Sequence, residues 1–127
     1  MSDNPRQIST NTTPAGNTST TKGYEVHMTH RCEKAYQKRI KKDSTGLKVW
    51  ADSVLRELAT NPTLGGKLAY GILSQYGAVH SKNDTYRIIY KAEDFPTHKV
   101  LVIAIGPRDK IYPEATNEAK MLLRQNE

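Results

Sequence analysis

A histidine and an arginine face each other across a predicted β-hairpin. Asn83-Asp84 separates a weak strand from a strong one, and a two-residue turn of this composition is typical of hairpins. The register set by that turn places His80 directly opposite Arg87, with their Cβ atoms about 5 Å apart on one face of the sheet. A neutral imidazole can accept a proton, and a guanidinium can hold a phosphate. The pair is therefore a candidate for acid–base chemistry on a phosphate ester, and a solvated strand face is the alternative.

Three more polar side chains extend this candidate site. The same register places Lys82 opposite Thr85, on the face that carries the histidine. Arg108 follows Gly106-Pro107, just past a run of apolar residues, and a loop at the end of a buried strand is a common place for functional residues. Tyr112 comes just before Pro113, which is predicted to open a helix that can aim the tyrosine hydroxyl. Taken singly, Arg108 also fits a surface cation and Tyr112 a packing residue.

Hydrophobic periodicity predicts the elements that position these residues. Alternation of apolar and polar residues predicts strands, and a 3.6-residue period predicts helices. The predicted elements are a strand at 24–29, helices at 32–42 and 47–59, strands at 77–82, 86–90 and 100–105, and a C-terminal helix that opens at Pro113. The run at 100–105 is apolar on both faces, which predicts a central strand. The order β-α-α-β-β-β-α predicts an α+β fold, a small antiparallel sheet with an N-terminal helical hairpin and a C-terminal helix, with the helices packed on one face.

Composition narrows the class of protein. The chain has 127 residues and a formal net charge of +6, with a sequence pI of about 9.5, which favours an anionic partner such as nucleic acid or an acidic protein. No apolar run is long enough to span a membrane, and the N-terminus has no apolar signal region, so a cytoplasmic protein is expected. Ser, Thr and Asn dominate residues 1–22, which predicts a disordered tail before a domain at 23–127.

The other chemistry-bearing residues fit structural roles better. His27, His30 and Cys32 lie close together in sequence, but they span a strand-to-helix junction and no fourth ligand is near, so no metal site is predicted. As the only cysteine, Cys32 excludes a disulfide framework and is expected to pack as a small apolar residue. Gly65-Gly66-Lys67 follows a helix rather than a strand, so it predicts a tight connection and not a phosphate loop.

The second half of the chain resembles a known family. The segment Tyr86-Arg87-Ile88-Ile89-Tyr90-Lys91, the apolar run 100–106, Arg108 and Tyr112 together resemble the RelE/ParE superfamily of bacterial type II toxins, over roughly residues 24–124. The resemblance implies a compact antiparallel sheet flanked by helices and inhibition by a co-encoded antitoxin. In the RelE branch it implies endoribonuclease activity, a cleavage of messenger RNA in the ribosomal A site that needs no metal and no other cofactor.

The resemblance also implies roles for individual residues. Arg87 and Arg108 match two arginines that bind the phosphate and stabilise the transition state, and Tyr112 matches the tyrosine implicated in activating the ribose 2′-hydroxyl or stacking on a base. His80 falls where some RelE members have a catalytic lysine, and Ala78 stands where those members have another. The implied catalytic set is therefore Arg87, Arg108, Tyr112 and His80, with one cation fewer than in those members.

Lysines supply the predicted contacts to the RNA backbone. The candidates are Lys82, Lys67 and three lysines of the first predicted helix, Lys38, Lys41 and Lys42. That basic helix fits a solvated face and electrostatic docking to ribosomal RNA equally well. Two other functions stay open: a ParE-type toxin that inhibits DNA gyrase by binding, and a catalytically silent RNA-binding or antitoxin-sequestering relative. The expected partners are a cognate antitoxin, messenger RNA and the ribosome, with no membrane.

Overall fold

The helices and strands lie close to where the hydrophobic pattern predicts them. A computed structural model describes residues 23–42, 46–68, 71–94 and 97–125. The tail predicted at 1–22 lies outside the described residues. In chain order the elements are β1 (Glu25–Met28), α1 (His30–Lys42), α2 (Gly46–Leu58), β2 (Gly66–Lys67), a 3₁₀ turn (Gly71–Leu73), β3 (Gly77–His80), β4 (Tyr86–Glu93), β5 (Lys99–Pro107) and α3 (Arg108–Gln125).

The described strands form one sheet in the order β1-β5-β4-β3-β2. The pairs from β2 to β5 are antiparallel, whereas β1 pairs parallel to β5, with Val26 beside Val100. The α+β class is therefore confirmed, but the prediction of a wholly antiparallel sheet is wrong. Most of the chain separates β1 from β5, so no hairpin turn dictates their relative direction. The short β2 escapes prediction because its two residues, Gly66 and Lys67, show no alternation.

Helices cover both faces of the sheet, so the prediction that they pack on one face is wrong. On one face α1 and α2 pack against β4 and β5, and the buried residues include Tyr36, Leu47, Ala51, Leu58, Ile88, Tyr90, Val100 and Val102. On the other face α3 packs against the same strands, and the buried residues include Ile89, Ile103, Ala104, Ile111, Ala115 and Ala119. Because β5 is apolar on both sides, each face needs a cover. β5 lies inside the sheet between β1 and β4, but β4 and not β5 is the middle strand of the five described strands.

The β3–β4 hairpin keeps the predicted register, with His80 directly opposite Arg87. Both residues share a face with Ile89, which packs under α3, because strand residues alternate between faces. Ile88 and Tyr90 lie on the opposite face and pack with α1 and α2, as predicted. The histidine–arginine pair therefore lies at the end of the face that α3 covers.

The loop that closes this hairpin differs from the prediction. The Asp84 amide donates to the Ser81 carbonyl at 2.9 Å, so Lys82 and Asn83 form the turn. The Ser81 hydroxyl and the Asn83 side chain accept hydrogen bonds from the Thr85 amide, and such side-chain bonds favour this wider loop over a two-residue turn. The predicted pairing of Lys82 with Thr85 in the ladder is therefore wrong.

α3 begins at Arg108, so the prediction that Pro113 opens this helix is wrong. Proline lacks an N–H group, so the helix loses the bond from this position to the carbonyl four residues back. The turn before the proline is held by other contacts, because the Arg108 amide donates to the Thr85 carbonyl at 3.0 Å and Ile111 is fully buried. The early start places Tyr112 inside the helix rather than ahead of it.

Candidate active site

Three side chains converge on the carboxylate of Asp84, a residue that the sequence marks only as part of a turn. Arg87 Nη2 donates to Oδ1 at 2.9 Å and to Oδ2 at 3.1 Å. Arg108 Nη1 donates to Oδ2 at 3.1 Å, and His80 Nδ1 lies 3.2 Å from Oδ1. The structure thus brings the predicted residues His80, Arg87 and Arg108 together around one anionic group.

Backbone contacts produce this convergence. Arg87 on β4 pairs with Gly106 on β5, and β5 runs directly into α3. The amide of Arg108, the first residue of α3, donates to the Thr85 carbonyl in the hairpin loop at 3.0 Å. The hairpin loop and the start of α3 are therefore joined, and side chains from both reach Asp84.

Tyr112 completes the cluster from α3. Arg87 Nη1 donates to the Tyr112 hydroxyl at 2.5 Å, and the guanidinium carbon lies 5.2 Å from the centre of the tyrosine ring, within range of a cation–π interaction. The neighbouring Ile111 is fully buried in the core beneath α3, which holds this turn of the helix in place. We call His80, Asp84, Arg87, Arg108 and Tyr112 the Asp84 cluster.

Arg87 lies at the base of the Asp84 cluster, with 13% of its side chain exposed. Burial alone would lower the pKa of Arg87, but hydrogen bonds with Asp84 and Tyr112 outweigh it and hold the pKa above its usual value. The hydrogen bond from Arg87, helped by the charges of Arg108 and His80, holds the pKa of Asp84 below its usual value. Both groups therefore stay charged at neutral pH. Arg87 Nε is buried and has no hydrogen-bond partner among the described residues.

The rim of the Asp84 cluster is open to solvent. The exposed fractions of the side chains are 63% for Arg108, 48% for His80 and 41% for Asp84. The buried guanidinium of Arg87 beneath the exposed guanidinium of Arg108 suits an extended anionic ligand, because the ligand can approach along the surface and still reach a desolvated charge.

The predicted RNA-binding lysines lie outside the Asp84 cluster. Lys82 is exposed in the hairpin loop, Lys67 is exposed on β2, and the three lysines of α1, Lys38, Lys41 and Lys42, are exposed on that helix. Within the described part of the chain, none of these five has an ion-pair partner. Their charges are therefore available to phosphates, and their role in binding RNA stays a prediction.

α1 reaches the same end of the sheet as the Asp84 cluster. Its Arg39 donates to the Ile105 carbonyl at 2.8 Å and forms a two-bond ion pair with Glu114 on α3, with N–O distances of 2.9 Å and 2.6 Å. The Arg39 side chain also lies against Gly106, where a Cβ atom would clash with it. The C-terminal half of α1 is thereby fixed beside the end of β5 that leads to Arg108.

Sequence reasoning missed Asp84 as a site residue and Glu114 as a structural one. Asp84 carries a local signal, because it precedes Arg87 by three residues in a turn where an aspartate side chain can fold back. The pair of Arg39 and Glu114 carries none, because 75 positions separate the two residues.

The described residues contain no cluster of three or more His, Cys, Asp or Glu side chains that could hold a metal ion. His27 is exposed and contacts Glu25, whereas Cys32 is buried in the core, as expected for a packing residue. Burial, with the nearby carboxylates of Glu114 and Glu118, raises the pKa of the Cys32 thiol to about 12. Over the same ranges of the chain, no helix is both long and apolar enough to cross a membrane.

Comparison with solved structures identifies the fold. The chain is similar to a free-state structure of the E. coli toxin RelE that carries two arginine-to-alanine substitutions, with 20% sequence identity and a TM-score of 0.58, over 78% of this chain and 96% of that one. The chain has the RelE toxin fold. A structure of isolated E. coli RelE is also similar, with 18% identity and a TM-score of 0.52, over 77% of this chain and 98% of the toxin.

The RelE resemblance predicted from sequence is therefore confirmed at the level of the fold. No protein-family model matches the chain, and no curated protein matches it. Because the RelE likeness is a structural one at 20% identity or less, any statement about its chemistry depends on the geometry of the Asp84 cluster.

Proposed function

We propose that this protein is the toxin component of a type II toxin–antitoxin system and a metal-independent endoribonuclease that cleaves messenger RNA at the ribosomal A site. One observation carries the proposal: in a chain with the RelE fold, Arg87, Arg108 and His80 surround a single anionic group beside Tyr112. The excess of positive charge on the chain also suits an RNA substrate.

The two arginines would carry the charge-stabilising part of the reaction. Cleavage of RNA by its own 2′-hydroxyl builds negative charge on the phosphorane, and fixed N–H donors aimed at that charge lower the barrier. Arg87 and Arg108 aim donors at one point from two different elements. We assign them to bind the scissile phosphate and stabilise the phosphorane, so that the proposed reaction draws its positive charge from guanidinium groups.

His80 and Tyr112 would share the proton transfers. The 2′-hydroxyl must lose a proton and the leaving 5′-oxygen must gain one. The Tyr112 oxygen accepts a hydrogen bond from Arg87, so its own hydroxyl hydrogen is free to be donated. His80 is half exposed, and its Nδ1 faces Asp84, which leaves Nε2 to face the substrate. Either residue can act as base or acid in this arrangement.

The remaining contacts would hold the RNA and the partner proteins. Lys82, Lys67 and the α1 lysines Lys38, Lys41 and Lys42 are assigned to phosphates of the RNA backbone, which would make binding fall steeply as salt rises. A cognate antitoxin, messenger RNA and the ribosome are the proposed partners, and the cytoplasm is the proposed location.

Induced expression followed by primer extension on cellular transcripts tests this function. The proposal predicts growth arrest and new 5′ ends in frame within translated codons, and both should disappear for Arg87→Ala and Arg108→Ala. Arg108 is the cleaner site because its side chain is 63% exposed, so its removal should not disturb folding, which circular dichroism checks.

Arg56→Ala is the matched control. Arg56 is an exposed arginine on α2, which packs on the face of the sheet opposite the Asp84 cluster, so this variant should cut like the wild type. Intact transcripts with DNA damage would support a ParE-type inhibitor of gyrase instead. Absence of toxicity would support a silent relative, and unchanged cutting by Arg108→Ala would refute the assigned site.

A further inference from the structure

The carboxylate of Asp84 contacts the same three side chains that the proposed function assigns to the substrate, those of Arg87, Arg108 and His80. Its Oδ1 lies 2.9 Å from Arg87 Nη2 and 3.2 Å from His80 Nδ1, and its Oδ2 lies 3.1 Å from Arg108 Nη1. Guanidinium groups bind carboxylates and phosphates in the same planar, two-bond manner. A phosphate bound between Arg87 and Arg108 would therefore occupy the position that the Asp84 carboxylate now fills.

The loop that carries Asp84 has an unusual backbone. Asp84 has a φ of 61° and is the only non-glycine residue with a positive φ in the described ranges. Aspartate tolerates this left-handed conformation better than most residues, but it remains uncommon. The Ser81 and Asn83 side chains support the loop through the amide of Thr85. This conformation aims the side chain back over the two arginines, where it is 41% exposed and has room to turn towards solvent.

We propose that Asp84 is an internal substitute for the substrate phosphate, which holds Arg87, Arg108 and His80 together in the free protein and is displaced when RNA binds. The identity of the displacing group as an RNA phosphate depends on the proposed function. Asp84 is a positioning residue in this account. It keeps the guanidiniums in place before the substrate arrives, and it opposes binding until the substrate replaces it.

The charges of the cluster predict which anionic ligand can displace Asp84. Arg87, Arg108 and Asp84 together carry +1, and the two arginines alone carry +2. A lone phosphate must displace a carboxylate that is already tethered in place, so it gains little from binding. A polynucleotide has further phosphates to place on the exposed lysines, and those contacts can offset the displacement. The wild-type chain should therefore bind an oligonucleotide and discriminate against free inorganic phosphate.

Substitution of Asp84→Asn in the full chain tests the proposal, because the amide preserves the shape and removes the charge. The probes are inorganic phosphate, followed by the NMR shifts of the arginine side chains, and a 2′-deoxy oligonucleotide that cannot be cleaved, followed by fluorescence anisotropy. Because the neutral amide competes less strongly for the two guanidiniums than the carboxylate does, both affinities should tighten about five- to tenfold. The salt dependence of oligonucleotide binding should steepen by about 0.7 in log K against log salt.

Asp109→Asn is the matched control. It removes the same charge from the residue next to Arg108, but Asp109 is exposed and has no ion pair with a described residue. Its affinities should change less than about twofold, because screening weakens exposed charges at longer range. If Asp84→Asn folds poorly, Asp84→Gly removes the carboxylate and accepts the positive φ, and the same tightening is expected.

Unchanged or weaker phosphate binding by folded Asp84→Asn would overturn the proposal. The two binding probes need no cleavage, so the test is separate from that of the proposed function. If the wild-type protein cuts no RNA but Asp84→Asn binds phosphate more tightly, the nuclease function is refuted and the role of Asp84 as a substitute for phosphate is supported. If the wild-type protein cuts RNA but Asp84→Asn binds phosphate no more tightly, the nuclease function is supported and the role of Asp84 as a substitute for phosphate is refuted.

Discussion

Two arginine–carboxylate contacts lie at the same end of the sheet and differ in their balance of charge. Arg39 meets Glu114 one to one through two hydrogen bonds and also donates to the Ile105 carbonyl. In the Asp84 cluster, two arginines and a histidine share a single carboxylate. The first contact is balanced and joins α1 to α3. The second has a surplus of cations with an open rim.

That difference separates a contact that joins two helices from a cluster that can receive an anionic ligand. The Arg39–Glu114 pair leaves no cation over, and both side chains are at most about one third exposed, at 20% and 32%, so it has nothing to offer a ligand. The Asp84 cluster has an excess positive charge and an exposed Arg108, so it remains attractive to an anion. Identical substitutions in the two regions should therefore affect different properties.

The largest effect is expected for Arg87→Lys. Lysine keeps the charge but cannot bind Asp84 and Tyr112 at once with a planar fork, and loss of an aimed donor at the phosphorane typically costs about 100-fold or more in rate. Cleavage measured per folded molecule, by primer extension on a defined transcript, should fall by that amount. An Arg87→Lys variant that cuts within about threefold of the wild-type rate would place the chemistry elsewhere.

Tyr112→Phe should have the next largest effect. Phenylalanine keeps the ring beside the Arg87 guanidinium and removes the hydroxyl that accepts its hydrogen bond. General acid–base catalysis contributes about 10²- to 10⁴-fold in rate, and because His80 remains, cleavage per folded molecule should slow by the low end of that range, about 100-fold. Tyr24→Phe is the control, since the Tyr24 hydroxyl contacts Asp94, a residue outside the Asp84 cluster. Equal cleavage by both variants would remove Tyr112 from the proton-transfer scheme.

Arg39→Lys should change stability rather than chemistry. Lysine cannot keep all of the contacts with Glu114 and the Ile105 carbonyl, and loss of a net hydrogen bond costs about 1 kcal/mol. The midpoint of thermal unfolding should then fall by about 4–8 °C for a domain of this size. Cleavage per folded molecule should stay within about twofold of wild type, and a catalytic defect without a stability defect would erase the distinction between the two regions.

The smallest expected effect is a difference in folding stability between Asp84→Asn and the wild type at acid pH. Because the hydrogen bond from Arg87 lowers the pKa of Asp84, the stability that this ion pair contributes is complete above the unfolded-state pKa, about 4. It is lost as pH falls below that value, through the lower folded-state pKa. Asp84→Asn should therefore lose less stability than the wild type between about pH 4 and pH 2, measured by urea unfolding. Parallel curves for the two proteins would show that Asp84 contributes no such pairing.

The sequence predicts the part of this site that depends on local patterns. The period of two residues in strands and a turn signal are sufficient to place His80 opposite Arg87, because a hairpin register follows from its turn. Arg108 and Tyr112 follow from their positions after β5. Asp84 does not follow, because the loop conformation depends on side-chain hydrogen bonds that competed with the expected turn.

The parts of the fold that differ from the sequence prediction depend on contacts between distant segments. The direction of β1 beside β5, the cover of the second face by α3 and the Arg39–Glu114 pair each join segments far apart in sequence. Hydrophobic periodicity identifies which residues are buried, but it carries no information on which distant element buries them. The start of α3 at Arg108 belongs to the same class, since a bond to Thr85 in the hairpin loop helps to hold it.

We propose that the Asp84 cluster cleaves messenger RNA. The most direct test is primer extension on a messenger RNA held in programmed ribosomes, incubated with purified full-length protein, Arg108→Ala or Arg56→Ala. We expect a cut within the A-site codon for the wild type and for Arg56→Ala, and at least about 100-fold slower cutting for Arg108→Ala. Equal cutting by Arg108→Ala, or no cut by the wild-type protein, would contradict it.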